Sequence, residues 1–376
     1  MRTGAPDLDD VEELIAADSD GLLHAVAMAG AQVRSVAEAV REGVTEPLAD
    51  LRPRSVVIVC PSAGPAAAAV AVVSASVATG IDVPIVCTPG LPGWIGPLDV
   101  VVVAGVDGGD MVLADAAARA LRRRAEVVVA APIEGPLRDA LGGNGIDLSP
   151  RIDVDPRFRF AGFVAALLAT LTALRAVRFT GNPPDLGDLA GALDTEAMAG
   201  HPSHDSFHNQ AKSLAARLDE NAVLWSGDTP AASALAARAA AVVFSLTGTP
   251  GAALDLPDLL RGWHRRWSGA TTAVDSIFHD PELDGPIGEV PPRVLMVSTP
   301  AREWQTRRRI AAISTAETVV ADVDLSSTSP VPDGGGPGWG GIEDLTDVPA
   351  DLTSMLVLMV RIEMAAVYLR LIGAGQ

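Results

Sequence analysis

Three of the six histidines fall within eight residues, in HPSHDSFHN, residues 201 to 209. His204 and His208 stand four apart, a spacing that puts two imidazoles on one helix face and can hold zinc. No glutamate sits between them as in His-Glu-x-x-His, and no cysteine is near. The same run therefore also reads as a polar helix entrance capped by Ser203 or Asp205. A second cluster, LLRGWHRRW at residues 259 to 267, is locally basic in an acidic chain. Arg261, His264, Arg265 and Arg266 with Trp263 and Trp267 can make a platform for an anion or a sugar ring. They can equally make a solvated helix face with the tryptophans turned inward. Arg302 and Arg307 to Arg309 are further candidates for an anion.

Two turns have the outline of ligand cradles. In VVIVCPSAGPAAAAVAVV, residues 56 to 73, a β-branched run stops at Cys60-Pro61-Ser62-Ala63-Gly64-Pro65 and an alanine-rich helix follows. Gly105-Val106-Asp107-Gly108-Gly109-Asp110 repeats the strand–turn–helix pattern. A helix N-terminus after such a turn suits an anion. The glycines are too loosely spaced for a dinucleotide fingerprint, and no Walker loop is present. Ser62, Ser245, Thr247 and Thr249 have no base beside them, and a Gly-x-Ser-x-Gly elbow is missing.

These residues need a scaffold, and the hydrophobic pattern supplies one. Apolar residues at helical spacing run through Asp7 to Arg41. Strand-like runs follow at Ser55–Cys60, Pro84–Cys87, Val100–Ala104 and Glu126–Ala131, with helical runs at Pro65–Ala78, Asp110–Arg123 and Pro136–Leu141 between and after them. Near-continuous valine in such strands means a parallel sheet covered on both faces. A long helix, Phe158–Val177, closes this half. The pattern restarts with helix Asp205–Leu218, strand Ala222–Trp225, helix Pro230–Ala241 and an apolar run Val242–Leu246. Strand Arg293–Ser298, helix Ala301–Ile313, strand Thr318–Asp322 and a last helix Leu352–Ile372 complete it. Residues 268–292 and the Gly-, Pro- and Ser-rich 326–345 read as irregular surface segments.

The chain has 376 residues, enough for two cores, and aromatics make up only 4%, so those cores are built from Ala, Val, Leu and Ile. A formal charge of -19 argues against nucleic acid and against anionic membranes as partners. Cys60 and Cys87 each close an apolar run and read as buried free thiols, with a disulfide across neighbouring strands as the other option. The acidic start, MRTGAPDLDDVEEL, carries no signal-peptide pattern, and a cytoplasmic location is expected.

Two tandem α/β halves with ligand turns after the first and third strands resemble the sugar isomerase (SIS) fold. More narrowly, the chain is similar to the bifunctional phosphoglucose/phosphomannose isomerases. Asn209-Gln210-Ala211-Lys212-Ser213-Leu214-Ala215 resembles that family's Asn-x-Ala-Lys-x-Leu-Ala helix. Pro156-Arg157 resembles a Pro-Arg pair before the long helix of the first half. Residues Met355 to Leu358 and Ala365 to Leu369 resemble the last helix. The resemblance implies an α/β fold of two doubly wound parallel-sheet SIS subdomains in three α/β/α layers. The division is a helical region 1–50, a first domain 51–180, a linker 181–204 and a second domain 205–376.

The resemblance also implies where chemistry would sit. The family's Gly-Met-Gly-Gly-Ser turn is replaced by Pro61 to Pro65, and Pro65 has no N–H to donate. Its Ser-x-Ser-Gly-x-Thr turn is replaced by Gly105 to Asp110. A carboxylate ~5 Å from a phosphate, at an effective dielectric of ~20, repels it by about 3 kcal/mol per charge pair. A helix terminus contributes about 1 kcal/mol, so Asp107 and Asp110 outweigh it; as local structure, Asp110 suits a helix N-cap and Asp107 a turn. Threading onto the family's spacing puts Ser245 at the glutamate base and Arg261 at the histidine acid, with His264 one turn on. The expected ligand contacts are Ser62, Gly64, Asp107, Gly108, Asp110 and Lys212, and the candidates for catalysis are His208, Ser245, Arg261 and His264. No cofactor and no metal is implied. The expected function is a carbohydrate-derivative binding protein, weak or silent as an isomerase, and a homodimer by analogy. The alternative is an active aldose–ketose isomerase with altered residues, using His208 or His264 as acid and an aspartate as base.

Overall fold

Residues 6–78, 80–180, 183–219, 222–267, 291–321 and 351–373 are described by the structure, a computed structural model. The opening helical stretch is three helices, α1 Val11–Ala17, α2 Leu22–Ala27 and α3 Ala29–Arg41. Asp18 breaks the first from the second: its carboxylate accepts from the Leu22 and Leu23 amides at 2.8 and 2.9 Å. The first half then alternates β1 Ser55–Val59, α4 Pro65–Val77, β2 Ile85–Thr88, β3 Asp99–Ala104, α5 Met111–Arg122, β4 Glu126–Ala130, α6 Gly135–Leu141 and β5 Ile146–Asp147. Helix α7, Phe160–Ala173, closes it. The sheet is parallel, in the order β2-β1-β3-β4-β5.

The segment read as a linker forms α8, Leu186–Ala199, capped by Asp185, whose carboxylate accepts from Gly187 and Asp188 amides. Leu189, Leu193 and Ala197 bury its inner face against α3. The second half comprises α9 Gln210–Asp219, β6 Val223–Gly227, α10 Pro230–Thr247, β7 Gly251–Asp255, α11 Leu256–Trp267, β8 Arg293–Val297, α12 Glu303–Ile310, β9 Ala316–Val319 and α13 Asp351–Gly373. Its sheet is parallel, in the order β7-β6-β8-β9. The apolar run Val242–Leu246 continues α10, because nothing breaks the helix before Gly248. Residues 268–290 and 326–345 lie outside the described residues.

Strand side chains alternate between faces, and that alternation builds the layers. Val56 and Ile58 face inward and Val57 and Val59 outward. The outward set packs on α5 and α6, as Val294 and Met296 of β8 pack on α11 and Ile310. The inward set joins Trp225, Leu295 and Val297 in one core shared by both halves, filled by α4, α7, α10 and α13. Helix α10 is long and apolar enough to cross a membrane, yet it lies between α4 and α13 with 56% of its residues buried, as a core helix does. Helix α13 is apolar on every side and buried on every side. Its charges are paired: Arg361 forks onto Glu196 at 2.7 and 2.9 Å, and Arg238 meets Glu363 at 2.9 Å.

Candidate functional site

In each sheet the chain leaves the first strand toward one edge and later returns to the other side of it. Between the turns after those two central strands lies the topological switch point, the crevice where open parallel sheets usually take a ligand. The first crevice lies between the turns after β1 and β3, as the sequence leads one to expect. Gly64 takes φ +94° there, a backbone that L side chains rarely adopt, and Pro65 opens α4. Ser62 is exposed. Both aspartates are engaged in shaping their own turn. Asp107 Oδ1 accepts from the Gly109 amide at 2.7 Å, and Asp110 Oδ1 accepts from the Val112 and Leu113 amides at 2.8 and 3.4 Å as the cap of α5. Gly108 is tied beneath α6, its carbonyl accepting from the Leu137 amide at 3.2 Å. A dianion approaching α5 meets two carboxylates where hydroxyls would serve it.

Lys212, expected at the ligand, is fully buried and its ammonium is taken up by backbone carbonyls. Its Nζ donates to the carbonyls of Pro202 and His204, both at 2.7 Å, and lies 5.8 Å from the Tyr368 ring centre. Burial pushes its ammonium below the ordinary lysine range. The chain's only lysine thus anchors the histidine run from below. Asn209, and neither Ser203 nor Asp205, caps α9, accepting from the Ala211 and Lys212 amides at 3.0 Å. His208 Nδ1 lies 2.8 Å from Asp205 Oδ1, His201 Nδ1 2.8 Å from Ser203 Oγ, and His204 Nδ1 3.2 Å from the Ala199 carbonyl. Among the described residues no group of three or more metal-ligating side chains converges.

The four catalytic candidates are not joined by any hydrogen bond or ion pair among the described residues. Ser245 Oγ donates to the Val242 carbonyl at 2.9 Å on an exposed turn of α10. Arg261 pairs with Asp258 on the exposed side of α11, and His264 is exposed beside it. Trp263 is buried, so the basic run is a solvated face with a tryptophan turned inward. A small, mainly apolar cleft between α3 and α7, lined by Gln32, Val36, Arg159 and Phe163, brings together none of the expected residues.

The second crevice, between the turns after β6 and β8, is chemically richer, and Arg302 is the one residue there that the sequence singles out. Asp228 follows β6 with its side chain almost wholly buried. Its Oδ2 accepts from Arg302 Nε at 2.9 Å, Thr306 Oγ1 at 2.7 Å and Ser298 Oγ at 3.3 Å. Its Oδ1 is buried with no partner, and so are Ser226 Oγ and Thr299 Oγ1. Three of the five such atoms among the described residues thus belong to the strand ends and turns of this crevice, and none to the first crevice. Thr229 caps α10, accepting from the Ala232 amide at 3.2 Å. Gly227 admits the helix: a Cβ there would sit 2.1 Å from the Ser233 amide nitrogen. Ser226-Gly227-Asp228-Thr229 repeats the strand–turn–helix outline of the first half, and that repetition was the available signal.

No family model and no curated protein matches the sequence. Solved structures do match over nearly the whole chain. A provisionally assigned phosphosugar isomerase from Bacillus subtilis aligns at 13% identity, covering 93% of this chain and 95% of its own, with a TM-score of 0.56. The C-terminal domain of glucosamine-fructose-6-phosphate aminotransferase from Francisella tularensis aligns at 10% identity over 99% and 98%, TM-score 0.54. A Thermus thermophilus protein of unassigned function aligns at 12% identity over 96% and 88%, TM-score 0.61. The chain has the tandem SIS fold. Three of the unpartnered buried polar atoms belong to the ends of β6 and β8 and the turns after them.

Proposed function

We propose that this protein is a carbohydrate-derivative binding protein of the SIS fold that does not carry out aldose–ketose isomerisation, and that it holds its ligand at the second crevice. The observation behind this reading is the trio of buried, unpartnered oxygens on Ser226, Asp228 and Thr299. A buried polar atom left without a partner costs about 1–3 kcal/mol, which a ligand entering between the two turns returns. Asp228 Oδ1 accepts from a ligand hydroxyl, and the two side-chain hydroxyls donate or accept in turn. Asp228 and Arg302 balance in charge, so the crevice favours the hydroxyl face of a sugar over a phosphate dianion. The names of the structural neighbours, a phosphosugar isomerase and an aminotransferase of a sugar phosphate, agree with that ligand class. Among the described residues Ser245, Arg261, His208 and His264 share no hydrogen bond or ion pair with one another, which supports a protein that does not isomerise. The reading includes a cytoplasmic homodimer without nucleic-acid or membrane partners, consistent with the charge of -19.

The test pairs calorimetric titration of glucose, glucosamine and glucose 6-phosphate with an isomerase assay on glucose 6-phosphate and mannose 6-phosphate. Binding of at least one sugar, weakened tenfold or more (about 1.4 kcal/mol) by Asp228→Asn, with no turnover, is expected. Turnover within about tenfold of an ordinary enzyme refutes the reading. So does binding that survives both Asp228→Asn and the Ser226→Ala/Thr299→Val pair, or failure to bind any of the three.

A further inference from the structure

The two cysteines, 27 residues apart in the chain, meet at the rim of the first crevice. Cys60 leaves β1 as the first residue of the turn that leads to Gly64, and Cys87 lies on the edge strand β2. The parallel register sets Ile58 beside Cys87 and Val59 beside Thr88, and the Cys60 amide donates to the Thr88 carbonyl at 3.2 Å. The sulfurs come within 3.6 Å of each other. Cys60 is buried and Cys87 is exposed, which corrects the expectation of two buried thiols. A disulfide requires an S–S distance of about 2.05 Å, so the pair must close by roughly 1.5 Å. Side-chain rotation and a turn outside the strand ladder can supply that movement.

We propose that this pair is an oxidation site, at which a hydroperoxide oxidises Cys87 and Cys60 resolves the product into an intrachain disulfide that ties the first-crevice turn to β2. The division of labour follows from the surroundings. Cys87 is open to a small oxidant, and its sulfur shares a hydrogen bond with the Cys60 sulfur in which either thiol can donate. That hydrogen bond holds the Cys87 thiol down to about 7, so much of it is thiolate near neutral pH. Cys60 is pushed the other way by the same contact and by burial, and stays a thiol until its partner is oxidised. In the first step the Cys87 thiolate attacks the peroxide: an S–O bond forms, the O–O bond breaks, and the leaving oxygen takes a proton. In the second step the Cys60 sulfur attacks the sulfenic sulfur, forming the S–S bond and expelling hydroxide, which leaves as water with the Cys60 proton. Two thiols lose two electrons and two protons, and the peroxide is reduced to water, or to water and an alcohol. The inference is independent of where the sugar binds.

Full-length protein is treated with a few equivalents of hydrogen peroxide and followed by intact mass and by peptide mapping without reductant. The wild type is expected to lose the mass of two hydrogens, lose both titratable thiols and yield a crosslinked 60–87 peptide pair, all reversed by dithiothreitol. Cys60→Ser is expected to stop at a sulfenic acid on residue 87 that dimedone traps, and Cys87→Ser to react at least tenfold more slowly. Two thiols per chain remaining free after treatment overturns the proposal. A crosslink that joins two chains, or undiminished oxidation of Cys60 in Cys87→Ser, also overturns it.

Discussion

Replacing Arg238 with methionine tests how the two halves are fastened together. Arg238 projects from α10, and its Nη2 donates to Glu363 Oε1 on α13 at 2.9 Å and to the Arg157 carbonyl in the first half. Both charged side chains are more than nine-tenths buried. Breaking a buried pair by removing one partner costs about 3–5 kcal/mol, because the other charge stays desolvated. Glu363 has one escape, which is protonation. Burial already raises its carboxyl above the usual range, against the lowering effect of Arg238, and without the guanidinium it rises further. A carboxyl whose folded pKa exceeds its unfolded one contributes stability that is complete below the unfolded value of about 4.5 and disappears as pH rises through the folded one. The loss accrues at up to about 1.4 kcal/mol per pH unit, and in the variant it continues at pH values where the wild-type carboxylate is already ionised and paired with Arg238. Arg238→Met is therefore expected to fall about 1 kcal/mol below wild type at pH 5, for the lost bond to Arg157, and several kcal/mol below it at pH 8. The double variant Arg238→Met/Glu363→Leu recovers most of that deficit at pH 8. Urea midpoints and slopes from tryptophan fluorescence at the two pH values provide the readout. An equal deficit for Arg238→Met at both pH values, or a double variant as weak as the single, refutes the argument.

Lys212→Met strands the Pro202 and His204 carbonyls. It is expected to destabilise by about 1–3 kcal/mol in urea and to make residues 201–208 a preferred site of limited proteolysis. Gly227→Ala drives a methyl group into the start of α10 and is expected to cost at least about 1–3 kcal/mol in urea and to abolish sugar binding at the adjacent crevice. Asp110→Ala removes a helix cap for about 1 kcal/mol, measured by thermal unfolding, and leaves sugar affinity unchanged. Loss of binding in that variant would return the site to the first crevice.

The layers were legible where local pattern and tertiary role coincide. Continuous β-branched residues at 56–59 and continuous valine at 100–103 read as strand buried on both faces, and alternation along the first run sends Val56 and Val57 to different cores. Helix α8 was hidden because Gly-Asn-Pro-Pro at 181–184 marks a loop and the inward stripe of Leu189, Leu193 and Ala197 is thin. Strand β7 is five residues of mostly exposed GAALD, with no alternation to find. The turn at Asp107 and the cap at Asp110 are local, each set by a carboxylate accepting from amides two or three residues on. The second crevice is not, because it is assembled from Ser226 and Asp228 on one side and Ser298, Thr299, Arg302 and Thr306 on the other, about seventy residues away. Only the pairing of β6 with β8 brings them together. Lys212 misled because its place in a recognisable helix stretch says nothing about which way the ammonium points.

Helix α13 fills the space between the two sheets and follows every described strand in the chain. A ribosome therefore releases both halves before the piece that seals them exists. Until then α4, α8, α9 and α10 present bare apolar flanks, and the nascent polypeptide is a natural client for a holding chaperone. Closing the shared core requires α13, on which Arg361 and Glu363 meet partners on two different neighbours.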